Sequence, residues 1–184
     1  MLTSELSADD RRSLLALARR SVTARVTGGR PPTVPATPAI LAGAFVTLRR
    51  GGQLRGCIGS LETDRPVAEI VQRCAASAAA EDPRFPPVTA AELGALDVEV
   101  SVLGPLEAID PVDPAGIEIG RHGLVVEQGI RRGLLLPQVA TEWGWDPGTF
   151  LAQACAKAGL PPDAWRYGAR VFRFEAIVFG ESDH

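Results

Sequence analysis

The sequence predicts an α+β protein, and three observations carry that prediction. Apolar residues recur at helical spacing over residues 7–27, 66–81 and 147–158. They alternate with polar residues, as in strands, over 44–50, 53–59, 96–103 and 170–179. The strands come largely as hairpins mixed with helices, not as a strict βαβ alternation, so a mixed sheet packed with helices is expected. With 184 residues, of which 46% are hydrophobic, the chain can bury one good-sized core or two small lobes sharing a core.

Taken in order, Ser7 and Asp10 form a capping box for the first helix, and Gly28-Gly29 ends it. Its stripe is Leu14, Leu15, Ala18, Val22 and Val26, and Arg11, Arg12, Arg19, Arg20 and Arg25 read as a solvated face. The Pro/Thr-rich residues 28–38 form a surface loop. Gly51-Gly52 turns a hairpin between 44–50 and 53–59. The second helix begins near Asp64 with Pro66 in its first turn, and Val67, Val71, Cys74 and Ala78 share a face. Thr89 and Glu92 make a capping box for a short turn. In 96–103, Leu96, Val98, Val100 and Val102 face a core while Asp97, Glu99 and Ser101 face away. After a loop at 104–116, a hairpin over 124–136 turns near Gln128-Gly129. A short helix starting at Leu136-Pro137 carries Glu142 and Trp143. Asp146 and Pro147 start the next helix, which places Cys155 in the core and ends at Gly159. The last strand puts Phe172, Phe174, Ala176 and Val178 on one side, and the charged tail 181–184 reads as loose.

Composition narrows the function. A net charge of −3 argues against a nucleic-acid binder or a protein of anionic membranes. The N-terminal residues lack a basic and then apolar leader, so no signal peptide is expected, and no apolar run reaches membrane-spanning length. The three cysteines have no CxxC or zinc-type spacing, which suits a reducing cytoplasm and no structural metal. The glycine pairs lack the context of a phosphate loop, and the common hydrolase and metal motifs do not occur. The sequence names no cofactor.

The stretch with chemistry is Leu54-Arg55-Gly56-Cys57-Ile58-Gly59. Read as a strand, it sets Arg55, Cys57 and Gly59 on one face, with open space at Gly59 and a cation near the thiol that favours thiolate. A plain two-residue turn pairs Arg50 with Gln53, Leu48 with Arg55 and Val46 with Cys57. That register favours a buried, inert thiol and a half-buried Arg55 in need of a carboxylate or a ligand. Glu99, a carboxylate in mid-strand, is a candidate partner for an arginine. Asp82-Pro83-Arg84-Phe85-Pro86-Pro87 is stiffened by three prolines and holds Arg84 and Phe85 in defined places. His122 precedes a glycine in a turn and is a candidate for moving protons.

Four segments in order resemble the AMMECR1 family over roughly residues 10–180. They are the hexapeptide 54–59, the 82–87 loop, Glu118-Ile119-Gly120-Arg121-His122-Gly123-Leu124, and Leu136-Pro137-Gln138-Val139-Ala140 with Trp145-Asp146. Gln138 departs from the glutamate common in that family. The resemblance implies a single domain over 1–184, with a larger lobe built from both chain ends, a smaller inserted lobe and a cleft near the hexapeptide. It also implies a Memo-type protein and a radical-SAM protein as partners. It does not supply a reaction. The enzyme reading gives Cys57 the part of nucleophile or acid and His122 that of proton carrier, with Arg55, Arg84, Phe85 and Glu99 binding an anionic substrate. The other reading is a protein-interaction module built on Trp143, Trp145 and Phe85.

Overall fold

The structure, a computed structural model, describes residues 6–35, 42–110 and 112–183. The residues up to Glu5, the end of the 28–38 loop, Pro111 in the 104–116 loop and the terminal His184 lie outside the described residues. The chain divides into two compact units. One is formed by the chain up to Leu103 and again from Ile177, the other by Gly104–Ala176.

In the first unit, helix α1 (Ala8–Thr27) starts at the expected capping box. Ser7 Oγ accepts from the Asp10 N–H at 3.1 Å, and the Asp10 carboxylate accepts from the Ser7 N–H at 3.0 Å. Gly28 ends it in the left-handed region, at φ 71°. Its buried Leu14, Leu17, Ala18 and Val22 pack in one core with Val67, Ile70, Val71, Cys74 and Ala78 of helix α2 (Val67–Ala80). Pro66 stands at the N-cap of α2, just before the first turn rather than within it. The helices pack on one face of three neighbouring strands of the sheet, in which β1 (Ala44–Arg50) pairs antiparallel with both β2 (Gln53–Ser60) and β3 (Leu96–Leu103). Val46, Leu48, Val98 and Val100 point to that core and are fully buried, each contributing about 2 kcal/mol.

The register of the β1–β2 hairpin departs from the expectation. Arg50 does face Gln53 and Arg49 faces Leu54, but then Leu48 faces Gly56 and Thr47 faces Cys57. Arg55 is therefore an extra residue, a β-bulge, and every side chain beyond it changes face. Val46 pairs with Ile58, and Cys57 leaves the core face for the polar one. The cause lies outside the hairpin. Arg55 Nε donates to Glu92 Oε1 at 2.9 Å, Nη2 donates to Glu92 Oε2 at 3.2 Å, and Nη1 donates to the Pro86 carbonyl at 2.9 Å. Glu92 is itself set by its capping box, where its carboxylate accepts from the Thr89 N–H. A regular strand would aim Arg55 at the apolar core beside Leu48; the bulge turns it to a carboxylate instead.

Both glycines of the hexapeptide are spaces already filled. A Cβ on Gly56 would collide with the Ala78 carbonyl, so glycine lets α2 lie against the strand. The ring of Phe45 lies across Gly59, its partner on β1, and takes up the space that the sequence suggested would be open. Two other expectations fail in this unit. Arg19 is not solvated: it donates to the carbonyls of Leu93 and Leu96 and pairs with Glu181. The tail through Asp183 is fastened, since Glu181 also accepts from the Val98 N–H, Ser182 bonds Asp97, and Asp183 accepts from the Gly180 N–H.

In the second unit, β5 (His122–Gln128) pairs with β6 (Arg131–Leu135) and with β7 (Arg170–Gly180), and β7 pairs with the two-residue β4 (Glu107–Ala108). These pairings are antiparallel too, where a mixed sheet was expected; short turns join β1 to β2 and β5 to β6. Helices α3 (Pro137–Trp143) and α4 (Pro147–Lys157) follow, and Phe150, Leu151, Ala154 and Cys155 of α4 join Leu124, Val126 and Val171 in a second core. The expected single apolar side of β7 is broken. Phe174 is buried, but Val171 and Phe179 are buried from the alternate positions and Val178 is exposed. The strand serves one unit as far as Ala176 and the other beyond it, with a different core to fill in each.

Two outcomes follow from this packing. Gly56→Ala should destabilise the protein by about 3 kcal/mol in denaturant titrations, whereas Gly94→Ala, with open space at its Cβ, should stay near wild type. The Glu92 carboxyl is held down to about 2, first by the Arg55 hydrogen bonds and then by the Thr89 N–H. A depressed carboxyl stabilises the fold fully above its ordinary value of 4.5 and loses that stabilisation as pH falls toward 2. Glu92→Gln should therefore be less stable than wild type at pH 7 and show a flatter acid limb between those two values in thermal melts.

Candidate functional site

The bulge places Cys57, Thr47 and Glu99 in one row across three strands, because Thr47 is the cross-strand partner of both other residues. Partners directly opposite one another project to the same face of the sheet. Cys57 Sγ and Thr47 Oγ1 are hydrogen bonded at 3.3 Å. The Cys57 backbone points outward from the hairpin. Its N–H donates to Asp82 Oδ2 at 2.9 Å, and its carbonyl accepts from Arg84 Nη2 at 3.3 Å. Two side chains thus stand where a neighbouring strand would be, and they close the open edge of β2 at this residue. With its backbone turned outward, Cys57 forms the closer, non-hydrogen-bonded kind of pair with Thr47, which accounts for the short sulfur–oxygen separation.

Asp82 and Arg84 are locked together before they reach the strand. Asp82 Oδ1 accepts from the Arg84 backbone N–H and from Nε, both at 3.0 Å, and Oδ2 accepts from Nη2 at 2.7 Å. These bonds from Arg84, with the Cys57 N–H, hold the buried Asp82 carboxyl well below the usual range. The Arg84 side chain remains 47% exposed, so positive charge is presented beside the thiol. Its guanidinium lies 5.5 Å above the ring of the half-buried Phe85.

Arg55, expected to share the thiol's face and bind substrate, instead has its counter-charge in Glu92. Glu99, considered as that counter-charge, sits at the far end of the Cys57 row. The thiolate expectation is also corrected. Burial pushes the Cys57 thiol up, the Glu99 and Asp82 carboxylates push it the same way, and the Thr47 hydrogen bond and Arg84 only partly offset them. The resting group is a neutral, half-buried thiol, which can give a proton directly and becomes a nucleophile once a base removes that proton. Cys74 and Cys155 are core residues, as expected.

His122 belongs to the second unit. The turn before it folds back so that His122 Nδ1 accepts from the Glu118 N–H at 2.9 Å, which leaves the ring proton of the neutral form on Nε2. Gly120 takes φ 85° in this turn, and the ring of Phe174 covers Gly123 on the neighbouring strand. Burial, then Arg173 and Arg121, hold His122 below its ordinary value. It lines a polar cavity of about 360 Å³ with Glu107, Glu118, Arg121, Arg173 and Glu175. Trp143 is 70% exposed and stacks on Trp145 at 6.1 Å, and Trp145 leads inward to Phe150. Among the described residues, no group of three His, Cys, Asp or Glu side chains is placed to hold a metal ion, and no helix is long and apolar enough to cross a membrane.

Sequence reading missed Thr47, Asp82 and Glu92 as parts of the site. Thr47 could have been singled out as the one polar residue between Val46 and Leu48. The Asp-x-Arg spacing of 82 and 84 is that of a self-paired clamp. Glu92 gave only a capping signal, because its bond to Arg55 spans 37 positions.

Comparison with known proteins agrees with this architecture. The AMMECR1 family model matches residues 15–179. A protein of Methanothermobacter thermautotrophicus is 47% identical, with 98% of this chain and 99% of that protein covered. One of Thermococcus gammatolerans is 49% identical, with 91% and 88% covered. The crystal structure of an uncharacterized protein from Pyrococcus horikoshii superimposes with a TM-score of 0.91 at 44% identity, covering 96% of this chain and 94% of its own. By motif order, by fold and by these matches, the chain belongs to the AMMECR1 family.

Proposed function

We propose that this protein is an enzyme or enzyme component that acts with a Memo-type protein and a radical-SAM protein on a small anionic substrate. The observation that carries the reading is the thiol of Cys57, half-buried rather than sealed in the core, hydrogen bonded to Thr47 and flanked by the guanidinium of Arg84. A thiol with only a structural part to play is usually sealed in the core, as Cys74 and Cys155 are here. Two charged side chains committed to the backbone of one cysteine fix the position of its sulfur. Preorganisation of this kind is what a reacting group needs.

In this reading Arg84, with Phe85 beneath it, draws the anionic part of the substrate to the sheet face. Cys57 gives a proton to the substrate or, once deprotonated, attacks it; burial raises the proton affinity of the sulfur, and the Thr47 hydrogen bond and Arg84 offset part of that rise. Arg55 acts at one remove, by holding the bulge that aims Cys57. His122 is the proton-handling group of its own polar cavity, with one ring nitrogen tied down and the other carrying the proton. A reducing cytoplasm fits three free thiols.

A second reading, a protein-interaction module, is favoured by one observation. Trp143 is largely exposed on a stacked partner, a form that interface anchors take. The two are separated by mixing the protein with the Memo-type and radical-SAM proteins, measuring complex formation, and following small molecules by mass spectrometry. The enzyme reading expects turnover that falls by about a hundredfold or more in Cys57→Ser, with binding and melting temperature unchanged. Complex formation without turnover, lost in Trp143→Ala and kept in Cys57→Ser, would replace it with the second reading.

A further inference from the structure

The second unit holds a larger cavity that neither the thiol nor His122 lines. It measures about 550 Å³, within the range of small-molecule sites. Its walls include Ile109, Val112, Ala169 and Val171, together with Trp165 and Phe172. Ala169 and Val171 are buried, whereas Ile109, Val112, Trp165 and Phe172 are only half covered, so apolar surface is left facing the space. Burial of such surface by a ligand is favourable.

The lining of this cavity carries two arginines. The guanidinium of Arg166 lies 4.6 Å above the ring of Trp165, and that of Arg170 lies 5.7 Å above the ring of Phe172. Both arginines line the space and both are exposed, while Asp110 is the one acidic residue among the described residues lining it. Arg170 is paired with Glu127, which leaves Arg166 as the stronger attraction for an anion. Each ring keeps its guanidinium spread along the wall, so flat apolar surface and positive charge are offered side by side.

We infer that this cavity binds a small molecule in which a flat unsaturated ring is joined to an anionic group. The ring lies against Trp165, Phe172 and the aliphatic wall, and the anion meets Arg166 at the rim. The site is separate from the Cys57 row and does not depend on the function proposed for it. A nucleoside monophosphate and an aryl carboxylate share this chemistry, and the test carries both.

Adenosine monophosphate and 1-naphthoate would each be titrated into ¹⁵N-labelled full-length protein. Binding of either should shift the amides of Ile109, Val112, Gly168, Ala169 and Val171. Arg166→Glu should weaken it by about tenfold or more, and the uncharged analogues, adenosine and 1-naphthalenemethanol, should bind about tenfold less tightly. A response to the phosphate alone would assign the nucleotide class, a response to the carboxylate alone the aryl acid class, and a response to both the shared chemistry. No shift at millimolar concentration of either probe, shifts centred elsewhere, or equal affinity in Arg166→Glu would overturn the inference. The amide spectrum of Arg166→Glu reports whether the exposed substitution leaves the fold intact.

Discussion

The ion pair between Arg55 and Glu92 holds one extra residue in strand β2, and the face to which Cys57 points follows from that residue. A strand has a side-chain period of two, so a single inserted residue reverses every position after it. Without the bulge, the thiol would lie opposite Val46 among hydrocarbon. With it, the thiol lies opposite Thr47, on a row that ends in a carboxylate. Both partners of the pair are largely covered, and a covered guanidinium left without its carboxylate costs about 3 kcal/mol. The pair therefore resists a slip back to the plain register.

The hexapeptide can be read as a division of labour around that fixed point. Gly56 admits helix α2, Gly59 admits the ring of Phe45, and Arg55 anchors the bulge. Three residues of the hexapeptide, Arg55, Gly56 and Gly59, are thus fixed by packing or by hydrogen bonds. Cys57 is held at both backbone atoms, yet its sulfur faces a polar row and the residue is half-buried. The same device recurs in the second unit, where Gly123 beside His122 lies under the ring of Phe174. In both places an aromatic ring lies across a glycine on the strand of a candidate site residue, Cys57 or His122.

Electrostatics at the thiol are opposed rather than concerted. Arg84 favours the thiolate, but much of its charge is answered by Asp82, and burial and Glu99 favour the neutral form. A cation close to a cysteine in sequence is therefore a poor guide to its reactivity. Arg55 is two positions away and committed elsewhere, whereas Arg84 is 27 positions away and bonds the Cys57 carbonyl.

Local physics was legible in the sequence. The Ser7–Asp10 and Thr89–Glu92 capping boxes, the Gly28 stop and the Asp146 cap all formed where short-range hydrogen bonding requires them, and the apolar positions of residues 96–103 went to the core. The hexapeptide and the 82–87 loop could be picked out by their residue types alone. The hairpin register was not legible, because a bulge is set by a carboxylate 37 positions away that competes with the regular turn. The occupants of the space at Gly59, the fastening of residues 181–183 and the change of core along β7 were hidden for the same reason. Sequence by itself determined which segments are helices and strands, since caps, turns and apolar periods act within a few residues. Tertiary structure alone decided which way Cys57 faces and what meets Arg55, since those depend on bonds between distant segments that no local pattern encodes.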